Sequence, residues 1–187
     1  MAERLGERAG RFELSGSYSN DDRLLDLTLA LNEAENGLVA RILDLPGRPS
    51  VALDVEGTGP IDNFDADITL DTNNQRRIAG SFALDRGEVP EGGTAPLAFS
   101  LDVSGDVTPL IAPDYNEFFG PDVSLVISGS READGALALT ALDIDARALS
   151  LEGSARIGAD GWPERFDLTG EIANTDDSAV TLPVAGG

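Results

Sequence analysis

Apolar and polar residues alternate with a period of two along most of this chain, and that period is the signature of strands with one dry and one wet face. Phe12 and Leu14 lead to Gly16; Val51, Leu53 and Val55 lead to Gly57; Leu97, Phe99, Leu101 and Val103 lead to Gly105. Val123, Leu125 and Ile127 lead to Gly129, Leu149 and Leu151 lead to Gly153, and Phe166 and Leu168 lead to Gly170. Each of these glycines falls on the apolar phase, as does Gly80 in the strand that carries Phe82. A glycine inside a strand gives up a packing side chain, so its repetition on the inward face predicts bends, bulges or close backbone approach, the devices that curl a sheet. Gly57, Gly80, Gly105, Gly129, Gly153 and Gly170 are therefore read as the curling positions.

From Gly57 the glycines step by 23, 25, 24 and 24 residues to Gly153. Each step has room for about two strands and their turns. Strands are expected near 11–18, over Leu25–Leu31, and near 50–57, 63–71, 76–84, 96–105, 122–130, 135–145, 148–158 and 164–173. The first two read as a hairpin about Ser19, Asn20, Asp21 and Asp22. Leu38, Val39, Ile42, Leu43 and Leu45 switch to a helical period that Pro46 and Gly47 end, which predicts a short helix near 33–44. Residues 106–120 break the alternation and predict one or two helical turns. Between Ala141 and Leu142 the apolar phase flips, from Leu137 and Leu139 to Leu142 and Ile144, and such a flip calls for a bulge.

The fold class is thus all-β: an elongated, curled antiparallel sheet, a half-pipe, with one or two short helices. Residues 11–173 form one β-rich repeat domain between a flexible N-terminal segment, 1–10, and a flexible C-terminal tail, 174–187. The residues assigned to the lining of its groove are Val51, Leu53, Val55, Phe64, Ile68, Leu70, Phe82, Leu97 and Phe99. Leu101, Val103, Val123, Leu125, Ile127, Leu149, Leu151, Phe166 and Leu168 complete them.

Composition narrows the chemistry. The 34 acidic residues against 13 basic ones leave a net charge of −21, which repels nucleic acid and anionic lipid head groups. Neither cysteine nor histidine occurs, which removes disulfides, thiolate chemistry, the usual zinc ligands and the commonest general base. No catalytic residue, metal ligand or cofactor site is assigned. Asp62, Asn63, Asp65 and Asp67 cluster as calcium ligands do, but without the spacing of a calcium loop, and alternation puts Asp65 and Asp67 on the wet face. Asp143 with Asp145, and Asp21 with Asp22, are pairs that so acidic a chain produces by chance. The strand glycines precede no helix and no Gly-Lys-Ser/Thr, so they are not phosphate loops. Trp162, in a turn after Asp160 and Gly161, is assigned to cover the sheet edge.

Two elements carry a resemblance. One is the recurring strand ending Leu53-Asp54-Val55-Glu56-Gly57, Leu101-Asp102-Val103-Ser104-Gly105 and Leu125-Val126-Ile127-Ser128-Gly129. The other is Leu43-Asp44-Leu45-Pro46-Gly47-Arg48-Pro49 followed by Gly57-Thr58-Gly59-Pro60-Ile61-Asp62-Asn63-Phe64. Over residues 11–173 the chain resembles the central repeats of the TamB family, inner-membrane subunits of the bacterial translocation and assembly module within the AsmA-like superfamily. The resemblance implies a periplasmic, taco-shaped sheet whose hydrophobic groove carries phospholipid acyl chains. It also implies a membrane anchor outside this piece, and a barrel partner of the TamA type for outer-membrane protein assembly and secretion, contacted through regions outside this piece. Periodicity alone leaves a second architecture open, a closed β-sandwich serving adhesion or carbohydrate binding.

Overall fold

The computed structural model describes residues 10–21, 23–87, 95–174 and 179–180. The expectations for residues 1–9, for Asp22, for most of the Gly-Pro-rich stretch 87–96 and for nearly all of the tail lie outside the described residues. Ten strands follow one another as β1 (Arg11–Ser19), β2 (Leu24–Glu33), β3 (Val51–Pro60), β4 (Asn63–Thr72) and β5 (Gln75–Arg86). They continue as β6 (Leu97–Gly105), β7 (Val123–Arg131), β8 (Leu137–Ala146), β9 (Leu149–Ile157) and β10 (Pro163–Glu171). All lie in one sheet in chain order, every neighbour antiparallel, and the sheet is curled and unclosed. A single sheet in this order is not the closed sandwich that periodicity had left open.

Strand identity follows from the alternation, but the glycine period means less than its regularity suggested. Only two of the four steps, Gly57 to Gly80 and Gly129 to Gly153, span two strands. Gly80 to Gly105 and Gly105 to Gly129 each advance by one strand, because the connections after β5 and β6 are long.

The connections differ in kind at the two ends of the sheet. Asn73 and Asn74, at φ 51° and 58°, form the two-residue turn between β4 and β5, a conformation that asparagine tolerates and that matches the strand twist. Both helical insertions emerge at that same end. The first holds α1 (Leu38–Ile42), far shorter than the 33–44 expected, because β2 keeps pairing through Glu33. The Glu33 carboxylate then accepts the Val39 N–H at 2.7 Å and starts the helix late. The helical face also differs from its expected composition. Ala40 and Leu45 are buried and Val39 packs beside them, whereas Leu38, Ile42 and Leu43 are exposed. The second insertion winds through 3-10 turns at Thr108–Leu110 and Pro113–Tyr115 into α2 (Asn116–Phe119). The main-chain carbonyls of Phe118 and Phe119 accept the N–H groups of Ala148 and Arg147, pinning α2 to the turn between β8 and β9.

Three bulges interrupt the ladders. Thr140 and Ala141 sit at the bulge in β8, where Leu139 and Leu142 pair with Ala155 and Gly153. That extra residue keeps Leu139 and Leu142 on one face and resolves the phase flip read in the sequence. Arg77 is the extra residue of β5 and Glu164 that of β10. The Arg77 guanidinium donates to the Thr72 hydroxyl at 2.8 Å, satisfying a side chain only 1% exposed, and reaches Asp106 at 3.5 Å. At the opposite end Asp62 ties the hairpins together, accepting from Arg23 at 3.2 Å and facing Arg86 at 3.6 Å.

A dense core is confined to one corner of the described residues. Ala40, Leu45 and Val51 are buried there, with Val39, Leu70 and Leu110 packed against them.

Candidate functional site

The strand register builds the candidate site by aligning apolar residues into rows that cross all ten strands. Consecutive pairings connect Leu14, Leu29, Val55, Ile68 and Gly80, then Val103, Leu125, Ile144, Leu151 and Gly170. The adjacent row on the same face runs through Gly16, Leu27, Gly57, Ala66 and Phe82, then Leu101, Ile127, Leu142, Gly153 and Leu168. Nine inter-strand spacings of about 4.8 Å make each row about 43 Å long, running across the strands.

All eighteen residues assigned to the lining fall on this one face, and their cover varies along it. Val51 and Phe64 are buried. Leu53, Val55, Ile68, Leu70, Phe82, Leu97, Phe99, Leu101 and Val103 are half-buried, as are Val123, Leu125, Ile127, Leu149 and Leu151. Phe166 and Leu168, on the outermost strand, are 70% and 49% exposed. Among the described residues, neighbouring side chains provide the cover, since the two helical insertions reach only one end of the sheet.

At the glycines of the interior strands a neighbouring backbone comes close to where a Cβ would stand on this face. A Cβ at Gly80 would lie 2.0 Å from the Asp102 carbonyl oxygen, one at Gly153 2.4 Å from that of Asp167, and one at Gly129 2.5 Å from that of Ala138. At Gly57 the Phe64 ring would be 2.4 Å away and the Asp65 carbonyl 2.8 Å. Gly105 has both constraints, a φ of 153° and the Arg77 carbonyl within 1.8 Å of a Cβ. Neighbouring side chains lean over the gaps: the Phe99 ring over Gly129 and Leu168 over Gly153. The backbone approach is confined to interior strands. On the edge strands, Gly16 and Gly170 would carry a Cβ no closer than 3.6 Å and 3.2 Å to any neighbour.

Several apolar residues were not assigned to the lining although the register puts them there. Leu27 and Leu29 of β2, Ala66 of β4, and Leu142 and Ile144 of β8 belong to the two rows, and Ile78 of β5 pairs with Leu70 and Gly105 beside them. The period-two signal is present in β2, and in β8 the phase flip at Leu142 and Ile144 is visible, but only the register shows that the bulge returns both to the apolar face.

The other face is acidic. One row runs Ser15, Thr28, Glu56, Asp67, Ser81 and Asp102, then Val126, Asp143, Glu152 and Thr169. It sets Glu56 against Asp67 and Asp143 against Glu152 with no cation between them in the row. Asp65 and Asp67 are exposed and line a shallow hollow with Asp26, Thr28, Glu56, Thr58 and Ser81. The Asp26 carboxylate there accepts the Thr58 hydroxyl at 2.7 Å. Among the described residues no group of acids is arranged to hold a metal ion. Trp162 is 74% exposed at the tip of the β9–β10 hairpin and covers little of the edge assigned to it.

No described helix is long and apolar enough to cross a membrane. Compared with family models, curated proteins and solved structures, the chain shows no match.

Proposed function

We propose that this chain is a segment of a periplasmic bridge whose apolar face carries phospholipid acyl chains between membranes. The observation that supports the reading best is the pair of apolar rows, about 43 Å long and mostly half-buried, on a sheet over which the described residues form no second layer. Apolar area left in water costs about 25 cal/mol per Å², and each methylene laid against such a face gains up to about 0.8 kcal/mol. A path of this kind needs no hydrogen bonds to its cargo and imposes no sequence of contacts along the way. Rows that run across the strands give a hydrocarbon chain a direction of travel.

The acidic outer face fits the same reading. It keeps the back of the sheet solvated and unattractive to anionic head groups, so cargo is held by its tails. The resemblance to TamB-family repeats adds a setting: a parent protein anchored in the inner membrane and working with a barrel of the TamA type in outer-membrane assembly. Purification without detergent, followed by native mass spectrometry, tests the proposal. Phospholipid adducts are expected on the folded protein; a folded protein that carries no lipid and takes none up from vesicles would reject it.

A further inference from the structure

Charge is scarce on the apolar face, and where it occurs it sits at the margins. Setting aside the extra residues of the bulges, the strand positions that share this face carry three charged residues: Glu33, Arg86 and Arg131. Glu33 lies at the end of the helical insertions, where its carboxylate accepts the Val39 N–H at 2.7 Å. Both arginines lie at the opposite end. There Leu97 pairs with Arg86 on one side and with Arg131 on the other, so two cations flank one leucine in the outermost row of the face. Leu84, Phe99 and Gly129 form the next row inward.

Their surroundings leave both arginines able to take an anion. The Arg86 side chain is 47% exposed and shares the Asp62 carboxylate with Arg23, the two lying 3.6 Å and 3.2 Å from it. Arg131 is exposed, and its side chain makes no ion pair among the described residues. Two strand spacings of about 4.8 Å put the Cα atoms of Arg86 and Arg131 about 10 Å apart, a gap that two arginine side chains leaning over Leu97 can close around one phosphate. A guanidinium offers phosphate oxygens parallel N–H donors, which makes arginine the fitting residue for such a site.

We propose that Arg86 and Arg131 bind the phosphate of a phospholipid whose tails lie on the apolar rows. The assignment rests on the acyl-path reading above and gives the path a polar side. Head groups sit along the end that carries Arg86 and Arg131, away from the insertions, whose Ala40, Leu45 and Leu110 pack with Val51 and Leu70 at the other end. A net charge of −21 favours a zwitterionic lipid, since its amine offsets the charge its phosphate brings.

Tail-labelled fluorescent phosphatidylcholine and diacylglycerol with the same chains separate the phosphate from the hydrocarbon. The unmodified protein is expected to bind the phospholipid at least ten-fold more tightly, a difference of about 1.4 kcal/mol. Arg86→Gln combined with Arg131→Gln should bring phospholipid binding down to the diacylglycerol level and leave diacylglycerol binding unchanged. Arg156→Gln combined with Arg165→Gln makes the same charge change on the acidic face of that end and should keep the preference. Circular dichroism checks that each variant is folded. Millimolar inorganic phosphate is expected to leave the preference intact; loss of the preference would assign the pair to free phosphate and overturn the lipid assignment. Equal binding of the two lipids by the unmodified chain, or a preference that survives in the folded Arg86, Arg131 variant, would overturn the proposal while leaving the acyl path standing. Failure to bind either lipid would reject both.

Discussion

Replacing Gly80 with alanine puts the bending of the sheet to a quantitative test. A Cβ there would stand 2.0 Å from the Asp102 carbonyl oxygen, 2.6 Å from Val103 Cα and 2.7 Å from Val103 Cγ1. Two of those atoms are backbone, so relief requires β5 and β6 to separate by about 1 Å out of a spacing of about 4.8 Å. Stretching the two flanking ladder hydrogen bonds forfeits about 1 kcal/mol each. Overpacking adds about 1 kcal/mol, and the favourable replacement of a strand glycine returns about 0.5–1 kcal/mol. The net loss is about 2 kcal/mol, a fall in Tm of about 4–8 °C for a chain of this size. The control is the same substitution at Gly16, whose Cβ would find the Asp26 carbonyl at 3.6 Å and Leu27 at 3.8 Å. Without a clash, Gly16→Ala is expected to hold stability or raise it by up to about 0.5 kcal/mol. Urea unfolding followed by far-ultraviolet circular dichroism, with unchanged slope, measures both. Equal stability of the two variants within about 0.5 kcal/mol would refute close backbone approach as the reason for glycine at position 80.

Other outcomes follow from the polar face and the bulges. Glu152→Lys places a cation opposite Asp143 and is expected to stabilise by about 0.5 kcal/mol, a gain that shrinks as salt is added. Differential scanning calorimetry at low and high salt checks the sign. Arg77→Met removes the donor to the buried Thr72 hydroxyl and the partner of Asp106, at an expected cost of about 1–3 kcal/mol in chemical unfolding. The double variant Arg77→Met, Thr72→Val should recover part of that loss, because no unpaired hydroxyl is left behind.

The strands were legible because alternation is a local property: all ten form, with ends close to those read from the pattern. Register is not local, yet here the meander order makes each strand the neighbour of the next, so the apolar faces align by default. The bulge in β8 was readable as a broken phase between Leu139 and Leu142. The bulge at Arg77 was not, since only the polar Gln75 and Arg76 precede it in β5 and leave no apolar phase to break. The length of α1 was misjudged for a related reason. Leu38, Ile42 and Leu43 look like a packing face, but the neighbouring strands offer cover only to Val39, Ala40 and Leu45. The glycine spacing suggested a regular two-strand unit where loop length makes up half of the repeats. Which glycines are crowded depends on strand position: interior Gly80 and edge Gly16 share the same local pattern and differ in whether a neighbouring backbone folds over them.

Binding of a fluorescent acyl probe to matched variants tests the central claim most directly. Leu101 and Asp102 are adjacent in β6 and point to opposite faces of the sheet, Leu101 in the apolar row and Asp102 in the acidic one. A carboxylate at 101 would hold water against the hydrocarbon path, and on an open face it would remain hydrated enough for the protein to fold. The account predicts that Leu101→Asp stays folded by circular dichroism and loses at least ten-fold in probe affinity, while Asp102→Arg binds as the unmodified chain does. Undiminished binding in folded Leu101→Asp would contradict it, and unfolding of that variant would show a sealed core where the account requires an open face.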